Sequence, residues 1–153
     1  MSGDRKKMSR EQVKEMLQEY LVDVMRSGDV LREPQAVVDW ARVSLAYRDR
    51  EVFVVMFLNK ANALIKAEEM FQGTVDECAV HVREVVRGAL LCNATAVILV
   101  HNHPSGRTEA SAEDRAITEK IRVGLDTVGI KTLDHVIVGG DKHYSFREGG
   151  LLG

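Results

Sequence analysis

Cysteine, proline and long hydrophobic runs are all scarce in this chain. Its two cysteines, Cys78 and Cys92, form no C-x-x-C pair. Neither a thioredoxin-like redox site nor a zinc ribbon is supported, and two scattered cysteines fit a reducing compartment. The two prolines sit far apart, no segment is low in complexity, and no repeat recurs at a fixed period. The longest apolar runs are far too short to cross a bilayer. The first residues are polar and charged, without the apolar stretch of a secretory signal, so the sequence predicts a cytoplasmic protein with no membrane contact. A dominant charge is missing too. The formal net charge of -2 argues against a protein that wraps nucleic acid, because phosphate neutralisation needs a basic patch. The one basic cluster, Arg5-Lys6-Lys7, reads as a solvated terminal tip.

What remains is ordinary globular composition, 45% hydrophobic and 29% charged over 153 residues, enough for one domain with a real core. Residues 9 to 26 read as an amphipathic helix, opened by a Ser9/Gln12 capping box and stopped near Gly28. Its apolar positions are Val13, Met16, Leu17, Tyr20, Leu21, Val24 and Met25; they serve a core or a dimer contact, and the oligomeric state stays open. Residues 1–33 are therefore read as a helical extension, and 34–153 as the main domain. Pro34 opens a second helix to about Tyr47, with Trp40 as a core anchor. Glu51 to Leu58 is nearly all apolar, as in a strand covered on both faces. Asn59-Lys60-Ala61-Asn62 then turns it into a hairpin with Ala63–Phe71. A third helix is expected from about Val75 to Leu91, and a buried strand over Thr95–Val100. Ser111 opens a fourth helix that directs Ile117, Ile121, Val123, Leu125 and Val128 inward and stops at Gly129. Ile130–Val138 and His143–Phe146 close the chain as strands around a Gly139-Gly140-Asp141 turn. This order predicts one mixed sheet with helices packed on its faces.

His101-Asn102-His103 ends the buried run Val97–Val100. On a strand, residues i and i+2 share a face, so both imidazoles can reach one metal ion while Asn102 points away. Asp114 offers a third, anionic ligand, and three protein ligands with one open position is how catalytic zinc is held. Ser111 and Asp114 also fit S-x-x-D, a capping box that fixes the rotamer of the aspartate. His81 and His143 stand alone and read as structural or surface residues; His135, in Leu133-Asp134-His135, can support the site, but its spacing does not make it a ligand. A hydrolytic metal site also needs a base. Glu51 is a candidate, with Glu68 and Glu69 competing; spacing alone favours Glu51 as a solvated member of the charged turn Arg48-Asp49-Arg50-Glu51.

Taken together, Glu51, His101-Asn102-His103, then seven residues, then Ser111-Ala112-Glu113-Asp114, resembles the JAMM motif of JAB1/MPN metalloproteases. With Phe71-Gln72-Gly73-Thr74, His101-Asn102-His103-Pro104-Ser105-Gly106 and Leu133-Asp134-His135, residues 34–153 resemble a RadC-type JAB domain. That resemblance implies the cytidine-deaminase-like α/β fold of JAB1/MPN domains and one zinc ion per chain, held by His101, His103 and Asp114. It implies Glu51 as the general base acting on a zinc-bound water and Ser111 as the hydrogen-bond donor to the oxyanion. The reaction implied is hydrolysis of a peptide or isopeptide bond. Such proteins usually carry proline where Ala110 and Val82 stand here, and a helix-hairpin-helix domain where residues 1–33 read as a single helix. Deaminase chemistry on a similar fold needs H-x-E and P-C-x-x-C, and neither occurs. Two other readings remain: a metal-containing binding module without turnover, and a RadC-like protein of DNA repair, suggested by the family name alone.

Overall fold

Seven consecutive buried residues, Val52–Leu58, form an inner strand of the sheet. The computed structural model describes residues 7–73 and 80–152. Arg5, Lys6, Thr74, Cys78 and the expected start of the third helix at Val75 lie outside them. Within them the order is α1 (Arg10–Arg26), α2 (Pro34–Leu45), β1 (Val52–Leu58), β2 (Leu64–Gln72), α3 (Val82–Leu91), β3 (Ala96–Asn102), α4 (Ala112–Thr127), β4 (Lys131–Gly139) and β5 (Lys142–Ser145).

The sheet runs β2-β1-β3-β4-β5. β1 pairs antiparallel with both β2 and β3, β3 pairs parallel with β4, and β4 turns back antiparallel onto β5. The mixed sheet expected from the element order is therefore present. Alternation along the inner strands divides the core. Val52, Val54, Met56 and Leu58 share one face with Ala96, Ile98 and Val100, beneath Leu21 and Met25 of α1 and Val37, Val38, Ala41 and Leu45 of α2. Phe53, Val55 and Phe57 share the other with Val97 and Leu99, against Val85 and Ala89 of α3 and Ile121 and Leu125 of α4. Trp40 joins the first cluster, as its anchor reading requires. Helices thus cover both faces, which is why β1 and β3 are apolar without interruption.

Two local expectations need correction. The first half of α1 is not core: Val13, Met16, Leu17 and Tyr20 are exposed, Tyr20 by 65%, because the packed layer reaches only as far as Leu21 and Met25. The stop near Gly28 is present: Ser27, just before it, is the C-cap of α1 and donates its N–H to the carbonyls of Asp23 and Val24. Val123 and Val128 of the fourth helical segment are exposed, Val123 by 51%. Ile117, Ile121 and Leu125 repeat every four residues on the inner face, and Val123 sits two residues off that stripe, roughly 200° around the helix. The capping boxes at Ser9 and Ser111, proline at the start of α2, and a left-handed Gly129 after α4 (φ 77°) all appear as expected. No described helix is long and apolar enough to cross a membrane.

Candidate metal centre

β3 carries the alternation of its core face one step past the hydrophobic run. Val97 and Leu99 pack against α3 and α4, so His101 continues on that face, beside the N-terminus of α4. The strand extends to Asn102, two residues further than the apolar run alone predicts. His103 lies just past its end, and its N–H donates to the carbonyl of Val138 at 2.9 Å, tying the turn to β4. The capping box at Ser111 then sets Asp114: the Ser111 N–H donates to Asp114 Oδ2 (2.9 Å) and the Asp114 N–H donates to Ser111 Oγ (3.0 Å). In that box Ser111 Oγ is an acceptor, which leaves its own proton to donate elsewhere.

Glu51, His101, His103 and Asp114 come together, with one donor atom from each lying within 4.8 Å of the others. His101 Nε2 is 3.0 Å from His103 Nε2, 3.2 Å from Asp114 Oδ1 and 3.3 Å from Glu51 Oε1; His103 Nε2 is 3.0 Å from Asp114 Oδ2. Ligands held about 2.0–2.2 Å from a tetrahedral zinc lie about 3.3–3.6 Å apart, so these separations are close to the edges of such a site. The donor chemistry fits as well. His103 donates Nδ1–H to the Arg107 carbonyl at 2.8 Å, so in the neutral ring Nε2 keeps a lone pair facing the group. Two carboxylates and two imidazole nitrogens at this density, partly shielded from water, could hold a cation.

The ionisation tendencies follow from the same crowding. Burial pushes the Glu51 carboxyl above its ordinary range, against the opposing pull of His101 and His103. Burial also acts to raise Asp114, but hydrogen bonds with His101, His103 and the Ser111 backbone outweigh it and hold the carboxyl well below the usual range. His103 is desolvated, yet its bonds to Asp114 and the Arg107 carbonyl, with the charges of Asp114 and Glu51, raise it above an ordinary histidine.

Glu68 and Glu69 are not in the group; they pair with Lys66 and Arg48 on the β2 side. His81 and His143 also stand apart from it. His135 does more than its position in the sequence announces: its Nε2 lies 2.7 Å from His101 Nδ1, and the ring is fully buried. Asn102 was the residue that sequence reasoning passed over. Facing away from the histidines, it accepts the Val52 N–H (2.7 Å) and donates to the Arg50 carbonyl (2.9 Å), so it clamps the backbone on both sides of Glu51. The signal was an amide at the end of an otherwise apolar strand, where a buried polar group must find partners.

Comparison with known proteins gives the same segment a family. The model of the RadC-like JAB domain matches residues 31–151. A UPF0758 protein of Actinobacillus pleuropneumoniae serotype 5b is 44% identical over 135 residues, covering 88% of this chain and 61% of that protein. Counterparts in Chromobacterium violaceum and Haemophilus ducreyi are 46% and 42% identical and are covered over 62% and 60% of their lengths. The chain thus spans about three-fifths of the length of these relatives. The sheet order, the converging Glu51, His101, His103 and Asp114, and the match over residues 31–151 lead to one conclusion: this chain belongs to the RadC-like JAB domain family.

Proposed function

We propose that this chain is a zinc-dependent hydrolase of peptide or isopeptide bonds. The observation that carries the reading is the convergence of two imidazole nitrogens and a helix-capping carboxylate, with a second carboxylate 3.3 Å from His101 Nε2. His101, His103 and Asp114 are the proposed ligands, each held by its own partner: His135, the Arg107 carbonyl and Ser111. Zinc bound there would polarise a substrate carbonyl and make a water acidic enough to lose a proton near neutral pH.

Glu51 is the group placed to take that proton. Its side chain is 17% exposed, wet enough to exchange protons yet buried enough for its carboxyl to sit above the ordinary range. A base whose affinity for protons approaches the working pH both accepts and returns one efficiently, here to the leaving amine. Ser111 keeps a free hydroxyl proton, which suits it to donate to the oxygen that gains charge as the carbonyl is attacked.

The test compares wild type with Glu51→Gln on a panel of peptide and isopeptide substrates, with bound zinc measured in both. Wild type is expected to cleave in a metal-dependent manner; Glu51→Gln should keep its zinc and lose cleavage by a factor of at least about 10². Metal-dependent cleavage retained by Glu51→Gln removes Glu51 from the base role. No cleavage by wild type overturns the hydrolase reading and favours a metal-holding binding module.

A further inference from the structure

Behind His101 lies a chain of polar groups that the proposed reaction does not use. His101 Nδ1 faces His135 Nε2 at 2.7 Å, His135 Nδ1 faces Thr118 Oγ1 at 2.6 Å, and Thr118 Oγ1 donates to the main-chain carbonyl of Asp114 at 2.6 Å. His101, His135 and Thr118 are all buried, at 1%, 0% and 3% exposure. The rings are also wedged: Phe146 stacks on His135 at 4.6 Å, and Phe53 stacks on His101 at 5.7 Å.

Counting protons fixes the direction of this chain. A neutral imidazole has one N–H and one lone pair. If His101 Nε2 offers its lone pair to a cation, its proton is on Nδ1 and must be accepted by His135 Nε2. The proton of His135 is then on Nδ1 and must be accepted by Thr118 Oγ1. The hydroxyl proton of Thr118 is left for the Asp114 carbonyl. Reversing the two bonds of the His135 ring takes the Thr118 proton from the Asp114 carbonyl, which cannot donate in return, and puts an N–H on His101 Nε2, where it blocks a cation. We propose that Thr118, acting through His135, is the positioning residue that selects the metal-binding tautomer of His101. The chain begins and ends on the machinery it serves, because Asp114 supplies both the terminal carbonyl and a proposed ligand. This inference rests on the reading that the group holds a metal ion, and does not depend on hydrolysis.

Two substitutions separate hydrogen bonding from packing. Thr118→Val keeps the shape and removes the acceptor; Thr118→Ser keeps the acceptor and loses a methyl group. Zinc affinity is measured by competition with a chromogenic chelator, and the His135 tautomer by imidazole ¹⁵N shifts of the zinc-loaded protein. Thr118→Val should weaken zinc binding roughly 10- to 100-fold, as losing a partner behind a metal-bound histidine does. Thr118→Ser should return affinity to within about threefold of wild type and keep the His135 proton on Nδ1, on the same principle. A purely structural role predicts the opposite order, with the cavity-forming serine worse. Equal affinities for the two variants, or serine weaker than valine, overturn the proposal even if wild type cleaves peptides. The expected order in a protein that cleaves nothing upholds it while the hydrolase reading fails. A wild type that takes up no zinc sinks both.

Discussion

Replacing Asn102 by alanine tests whether the strand end next to the histidines also places the proposed base. Asn102 is fully buried, and its amide makes two bonds of 2.7 and 2.9 Å to the residues flanking Glu51. Alanine leaves the Val52 N–H without this acceptor and the Arg50 carbonyl without this donor. A buried donor left unmade costs about 1–3 kcal/mol, and the net loss of a second bond about 1 kcal/mol, so the fold should lose about 2–4 kcal/mol. For a chain of this size each kcal/mol lowers Tm by about 2–4 °C, giving a fall of about 5–15 °C by calorimetry on metal-free protein. The proposed ligands are anchored elsewhere, by the β3–β4 ladder, the Arg107 carbonyl and the Ser111 box, so zinc affinity should change little. Glu51 would lose its placement, and an error of about 1 Å can cost about 10² in rate, so kcat should fall with KM nearly constant. Asn102→Asp is the companion variant: it keeps an acceptor for Val52 but turns an anionic oxygen on the Arg50 carbonyl, and should be no better than alanine. A Tm within about 2 °C of wild type would refute the stability argument. A zinc affinity that falls as steeply as kcat would refute the claim that Asn102 acts on Glu51 alone.

Acid should weaken metal binding from above pH 6.5, the ordinary histidine value, because His103 is raised above it and must lose its proton to bind. Affinity should drop by up to about tenfold per pH unit for one competing proton, while Asp114, held well below the carboxylate range, adds no competition above about pH 4. Zinc titrations between pH 8 and 5 check this, and a flat profile contradicts it. In metal-free protein the sign for His103 is reversed: its raised affinity for protons stabilises the fold below the unfolded value, and that stability is lost as pH rises through the folded one. Gly139→Ala should disturb the turn after His103, since an added Cβ would lie 2.8 Å from the backbone carbon and oxygen of Gly106. Backbone cannot yield as a flexible side chain does, so a loss of about 1–3 kcal/mol with weakened zinc binding is expected, read by thermal melts and chelator competition.

Much of the site was visible in one dimension because its spacings are local. His101 and His103 share a face by strand alternation, and Ser111 and Asp114 are joined by a capping box whose geometry spans four residues. Those short-range rules hold whatever the rest of the fold does. Glu51 was different. From its neighbours it is one candidate base among three that reads more readily as a charge in a polar turn, and the resemblance reverses that preference. Its proximity to His101 depends on β1 pairing antiparallel with β3 in the register Phe53↔His101, a contact between segments some fifty residues apart. His135 was equally illegible as a neighbour of His101: the parallel β3–β4 pairing puts it beside Leu99, and α4 brings Thr118 onto its far nitrogen. The first half of α1 was open in one dimension: a helical apolar stripe fits a core or a dimer contact alike, and only the packed layer, which reaches Leu21 and Met25, shows that this half is not core.

By itself, then, the sequence determined the element order, the two-sided burial of β1 and β3, and a histidine pair and aspartate presented by local geometry. Periodicity and capping are properties of a few consecutive residues, so they survive without tertiary information. The tertiary structure alone decided how Glu51 is brought to the histidines, what clamps it, and which groups stand behind His101. Each of these is a contact between distant segments, fixed by strand register and helix placement that no local pattern encodes.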